Sequence, residues 1–109
     1  QNLFRGTSEL LATSIVEGLP ADLLEGPVRT KVGIAPTLVA LDALRPWVRP
    51  AGPLYLFAQN CAAQEEGAFT GEVGPGQLED VGAHGAILGY SERRSHFREP
   101  DELIARKVE

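Results

Sequence analysis

Sulfur is almost absent from this sequence, which has one cysteine, Cys61, and no methionine. A lone cysteine excludes an internal disulfide framework, and the expected setting is a reduced, cytoplasmic one. Basic residues are also scarce, at 10 against 15 acidic, for a net charge of -5. That balance argues against binding a phosphate backbone, so no nucleic-acid partner is expected. No apolar run approaches the roughly 18 residues needed to cross a bilayer, and no basic segment followed by an apolar core opens the chain. Neither a membrane partner nor a secretory signal is expected. The two histidines, His84 and His96, lack the spacing to Cys61 or to each other that a metal site requires. The glycines at 67, 71, 74 and 76 are scattered rather than gathered into a phosphate-cradling loop. No metal and no nucleotide cofactor is therefore expected.

What remains is ordinary globular material: 109 residues, 43% hydrophobic and 23% charged. One core of this size buries about two thirds of the unfolded surface, enough for a single domain. The chain opens on Gln1, and Asn2-Leu3-Phe4 reads as the tail of something begun earlier. The expectation is that the chain was processed or that its front is missing.

Apolar Leu10, Leu11, Ile15, Val16 and Leu19 recur at helical spacing, with Thr7 or Ser8 as the expected cap and Gly18 and Pro20 as the stop. Val28 to Ala35 is rich in β-branched residues and ends at Pro36, as a short strand does. A second helix is expected through Leu38, Val39, Leu41 and Leu44 to Pro46. After the turn-rich Arg49-Pro50-Ala51-Gly52-Pro53 comes Leu54-Tyr55-Leu56-Phe57-Ala58, an apolar run of the kind buried on both faces of a parallel sheet. A short helix around Gln77 to Val81, a strand at Ala86-Ile87-Leu88 and a last helix from Asp101, entered at Pro100, complete the pattern. Strands alternating with helices at a period of about 30 residues describe βαβ units, an α/β fold with a parallel sheet. Three strands cannot close an eight-stranded barrel of the usual ~250 residues.

Strand ends in such sheets carry the chemistry. Ser91-Glu92-Arg93-Arg94, just past the third strand, reads either as a solvated charge cluster of weak ion pairs or as a carboxylate held ionised by arginine at a ligand crevice. Tyr90 adds a hydroxyl donor beside it. Gln59-Asn60, after the second strand, reads either as amides satisfying loop backbone or as amides meeting a ligand or a partner loop. Cys61 reads as a small buried side chain.

Several segments occur in the right order to resemble the N-terminal half of the triose-phosphate isomerase family: Ile34-Ala35-Pro36, Ala58-Gln59-Asn60, Gly67 to Val73 with Pro75, Leu88-Gly89, Ser91 to Arg94, Phe97, and Asp101-Glu102-Leu103. The resemblance implies a (β/α)8 barrel, present over 1–109 as roughly its first half, with parallel strands two to four and their helices. It implies interconversion of dihydroxyacetone phosphate and D-glyceraldehyde 3-phosphate through an enediolate, in glycolysis and gluconeogenesis, without a cofactor. By the same resemblance Glu92 is the loop-four carboxylate, and Tyr90 stands where the family has a histidine. Asn2 and Phe4 fall on the first substrate-binding loop, Phe4 in place of a lysine, with Arg5 the nearest cation. Thr70 matches the residue that reaches into a partner subunit of a homodimer, Glu72 and Arg93 match residues that tie the subunits together, and Gln59 and Asn60 belong to the same interface. The family's catalytic glutamate and second phosphate-binding loops lie in the other half, so this chain alone is expected to be inactive. Two alternatives remain: a non-catalytic relative serving as a binding or assembly module, or an isomerase of another small sugar phosphate.

Overall fold

The computed structural model describes residues 3–20, 31–48 and 54–109. Asn2, the beginning of the expected first strand and the 49–53 turn lie outside the described residues. The elements run α1 (Arg5–Gly18), β1 (Val32–Ile34), α2 (Leu38–Leu44) with a 3-10 turn (Arg45–Trp47), β2 (Leu54–Ala58), α3 (Pro75–Asp80), β3 (Gly85–Ala86), α4 (Ser91–His96) and α5 (Asp101–Val108). The three strands pair in parallel in the order β1-β2-β3. Val32 stands opposite Leu54, and Phe57 opposite Gly85. The α/β architecture with a parallel sheet is thus as the sequence pattern implies.

Two expectations are corrected in α1. The helix starts at Arg5 with Phe4 as its cap residue, so Ser8 sits inside the first turn rather than capping it. Its hydroxyl donates back to the Phe4 carbonyl at 3.1 Å, the internal bond that serine makes when it faces inward in a helix. The inward stripe is Ser8, Ala12 and Ile15, whereas Leu10 and Val16 are exposed. Small residues there let α1 lie close against α2.

In β2 the alternation is strict. Leu54, Leu56 and Ala58 are buried under the helices, while Tyr55 and Phe57 are only half buried on the other face. The expectation of burial on both faces thus holds for one, because the described helices cover only that side. Leu41, Leu44, Leu54 and Leu56 are the largest fully buried side chains, each contributing roughly 2 kcal/mol by leaving water. On the opposite face the Phe57 ring spreads over both neighbouring strands. A Cβ added at Gly33 would lie 2.8 Å from Phe57 Cε2, and one at Gly85 would lie 3.4 Å from Phe57 Cδ1.

The strand expected at 86–88 is shorter and begins one residue earlier, at Gly85. His84, immediately before it, donates its backbone N–H to the Leu56 carbonyl at 2.7 Å, and the Leu56 N–H donates to His84 Nδ1 at 3.2 Å.

Candidate active site

The loop after β2 returns on itself. The Ala62 N–H donates to the Val73 carbonyl at 2.8 Å, closing the loop base, and the Glu72 N–H donates to the Phe69 carbonyl at 2.9 Å, forming a turn at the tip. Thr70 is exposed in that turn. The loop ends at Gly74, whose N–H donates to Oε1 of the Gln77 side chain reaching back from α3 at 2.9 Å. A Cβ at Gly74 would come 2.4 Å from the Glu65 carbonyl oxygen, so only glycine lets the two arms of the loop pass this closely.

Ser91 to His96 forms a short helix rather than a charged loop. Tyr90 is its cap residue and is 36% exposed. The Glu92 carboxylate is held below the usual carboxylate range, first by its own backbone N–H and then by the Ser91 hydroxyl, which donates to Oε2 at 2.9 Å. It is therefore ionised and oriented while remaining in solvent.

These loops enclose an open depression of about 550 Å³, lined among others by Gln59, Asn60, Glu72, Tyr90, Glu92 and Arg93. Six of the nine residues singled out in the sequence thus converge on one surface. Thr70 stands at the loop tip next to Gly71, which lines the same depression. Phe4 does not join them. It sits at the start of α1, 87% exposed, and Arg5 pairs with Glu9 along the helix surface at 3.3 Å. Neither supplies a cation to this depression.

Beneath it lies a buried cluster that the sequence did not reveal. Glu99 Oε1 accepts from Arg93 Nε at 2.9 Å, from Arg93 Nη2 at 2.7 Å and from Lys107 Nζ at 2.7 Å. Lys107 Nζ also donates to Asn60 Oδ1 at 2.8 Å. The Glu99 carboxyl is held below its ordinary range, chiefly by the Arg93 hydrogen bonds, against the opposing effect of burial. Two cations and one carboxylate leave one net positive charge here, next to the thiol of Cys61, which burial pushes upward. Asn60 is thus held by an ammonium group, and Gln59 Nε2 donates to the Ala35 carbonyl at 2.9 Å. The first amide anchors the loop to α5 and the second anchors it to the end of β1. Among the described residues no group of three or more His, Cys, Asp or Glu side chains could hold a metal ion, and no helix is long and apolar enough to cross a membrane.

The depression, the loop bases and the strand order all fall within a stretch that matches one family. A family profile described as Triosephosphate isomerase matches residues 6–109. The chain belongs to the triosephosphate isomerase family. Relatives of that name include one from Chlorobium luteolum, 42% identical over 101 residues, covering 93% of this chain and 38% of the relative. Another, from Geobacter metallireducens, is 39% identical over 106 residues, covering 97% and 41%. A third, from Vibrio cholerae, is 39% identical over 101 residues, covering 92% and 39%. The chain therefore spans about two fifths of the length of these curated relatives. As a member of this family it belongs to a group of isomerases.

Proposed function

We propose that the protein carrying this chain interconverts dihydroxyacetone phosphate and D-glyceraldehyde 3-phosphate through an enediolate, in cytoplasmic glycolysis and gluconeogenesis. Residues 1–109 are then the N-terminal half of a (β/α)8 barrel. The observation that carries this reading is the convergence of Tyr90 and the ionised Glu92 on one strand-end depression in a chain of this family. In this reading the Tyr90 hydroxyl donates a hydrogen bond to the substrate carbonyl oxygen and to the oxyanion that develops from it. Glu92 fixes the charge and the orientation of the loop beside it. Removal of the proton next to the carbonyl needs a positioned general base, which this reading assigns to the other half of the barrel, so the chain by itself is inactive. The exposed turn at Thr70, with Glu72 and Arg93 at its base, is the docking surface for a second subunit of a homodimer.

The test is turnover of the complete protein with both triose phosphates. Tyr90→Phe, which removes only the hydroxyl, is expected to lower kcat by about 10²–10³ if that group is an oxyanion donor. Tyr90→His, which restores the family's side chain, is expected to raise kcat. A complete protein without turnover, and unchanged by Tyr90→His, would overturn the reading. It would favour a binding or assembly module, an alternative motivated by the tyrosine at position 90.

A further inference from the structure

We propose that His84 is a proton-operated clip on the pairing of β2 with β3. The residue grips Leu56 twice, through its backbone N–H on the Leu56 carbonyl at 2.7 Å and through its ring Nδ1, which accepts the Leu56 N–H at 3.2 Å. In a parallel ladder the N–H and C=O of one residue face the same neighbouring strand, and each ordinarily meets a backbone group there. Here the chain enters β3 from a turn at Gly82, where φ is +85°, and the imidazole supplies the acceptor in place of a backbone carbonyl.

Nδ1 can accept only in a neutral ring whose proton sits on Nε2. In the protonated ring both nitrogens are donors, and the Leu56 N–H then faces another N–H. That strand donor loses its acceptor, and an unmet donor in a buried strand is costly. His84 is exposed, so a proton reaches the ring without the sheet opening. Groups from several elements surround the site. From β2, Tyr55 meets the ring edge-on at 4.9 Å between centroids. From the approach to β1, the Lys31 ammonium lies 5.0 Å from the centroid of the same tyrosine. From the 3-10 turn, the Arg45 side chain lies over Gly82. From α3, which packs on β3, the last turn carries the carboxylates Glu79 and Asp80. The β2–β3 pairing is therefore tight when the His84 ring is neutral and loosens when it is protonated. The clip joins the middle of β2 to the start of β3, and the chain beyond these strands leads to Gln59-Asn60 and to Tyr90. The inference is independent of the reaction the protein performs.

The experiment is a pH titration of the protein by NMR, reading the His84 ring nitrogens and the Leu56 amide together. The expected result is a common midpoint for both signals. The Leu56 protection factor, corrected for intrinsic exchange, should fall roughly fivefold across that midpoint, the worth of about one hydrogen bond. In His84→Asn the Leu56 titration should disappear. A Leu56 amide that does not follow the ring, a ring that stays neutral as the protein is acidified, or a Leu56 titration that persists in His84→Asn would each overturn the proposal. The wild-type titration decides the matter even if the variant fails to fold.

Discussion

Lys107 and Glu99 meet at 2.7 Å with their side chains only 3% and 5% exposed, a charge pair placed almost wholly out of water. Such a pair is costly to assemble and more costly to break, because removing one partner strands the other in a low-dielectric interior. Lys107→Met is therefore expected to destabilise the protein by about 3 kcal/mol, as measured by urea unfolding. That is the lower end for a broken buried pair, since Arg93 still holds Glu99. Lys107→Met combined with Glu99→Gln should recover part of the loss. A single variant within ~0.5 kcal/mol of wild type would show that the cluster contributes little.

The same cluster sets a dependence on acid. The Glu99 carboxyl titrates below its ordinary value of 4.5 in the folded state, chiefly because of the Arg93 hydrogen bonds. Its contribution to stability is thus complete above about pH 4.5 and is lost as the pH falls through the depressed folded value. Unfolding midpoints taken from pH 6 down to pH 3 should fall less steeply in Glu99→Gln than in wild type. Parallel slopes would remove Glu99 from the account.

Arg98 is the single non-glycine with positive φ among the described residues, at 55°. It turns the chain between α4 and α5 so that the N–H groups of both Phe97 and Glu99 reach the Arg93 carbonyl. The left-handed conformation costs a side-chain-bearing residue about 1–2 kcal/mol. Glycine relieves that strain but adds unfolded-state entropy worth about 0.5–1 kcal/mol. Arg98→Gly should accordingly stabilise the protein by about 0.5–1 kcal/mol, raising its thermal midpoint. A lower midpoint would mean that the Arg98 side chain makes a contact worth more than the strain.

The strand Leu54–Ala58 and the order of helices and strands were legible because apolar runs and breakers act locally. The strand-end motifs were legible for the same reason, since their residues are contiguous. Where α1 buries its surface was not legible. Helical spacing marks an apolar stripe, but the choice of Ser8 and Ala12 over Leu10 comes from how closely α2 approaches. The 91–96 segment reads as charged loop because its residues carry no apolar face, yet it forms a helical turn. The Lys107 cluster was invisible because its partners stand 8 and 47 residues away, at Glu99 and Asn60.

Phe4 supplies a further prediction. It caps α1 in the open, away from the Tyr90 depression. Phe4→Lys in the complete protein is expected to leave kcat/KM for triose phosphate within about twofold of wild type. A gain of an order of magnitude or more would place this position beside the substrate.

Gly74→Ala is expected to destabilise the protein by about 1–3 kcal/mol, since the new methyl would meet backbone oxygens at 2.4 and 2.9 Å that no rotamer change can move. Proteolysis of the 62–73 loop should accelerate in this variant. An unaltered cleavage rate would mean that the loop base yields without cost.

The Phe57 ring, spread across Gly33 and Gly85, makes three positions on three strands share one volume. A methyl or larger group at 33 has room only if the Phe57 ring shifts from its present place. Substitutions at these sites are therefore neutral or harmful according to the order in which they arrive. A sequence exchanging bulk between them one position at a time passes through an overfilled or a hollow intermediate unless the ring moves to accommodate it.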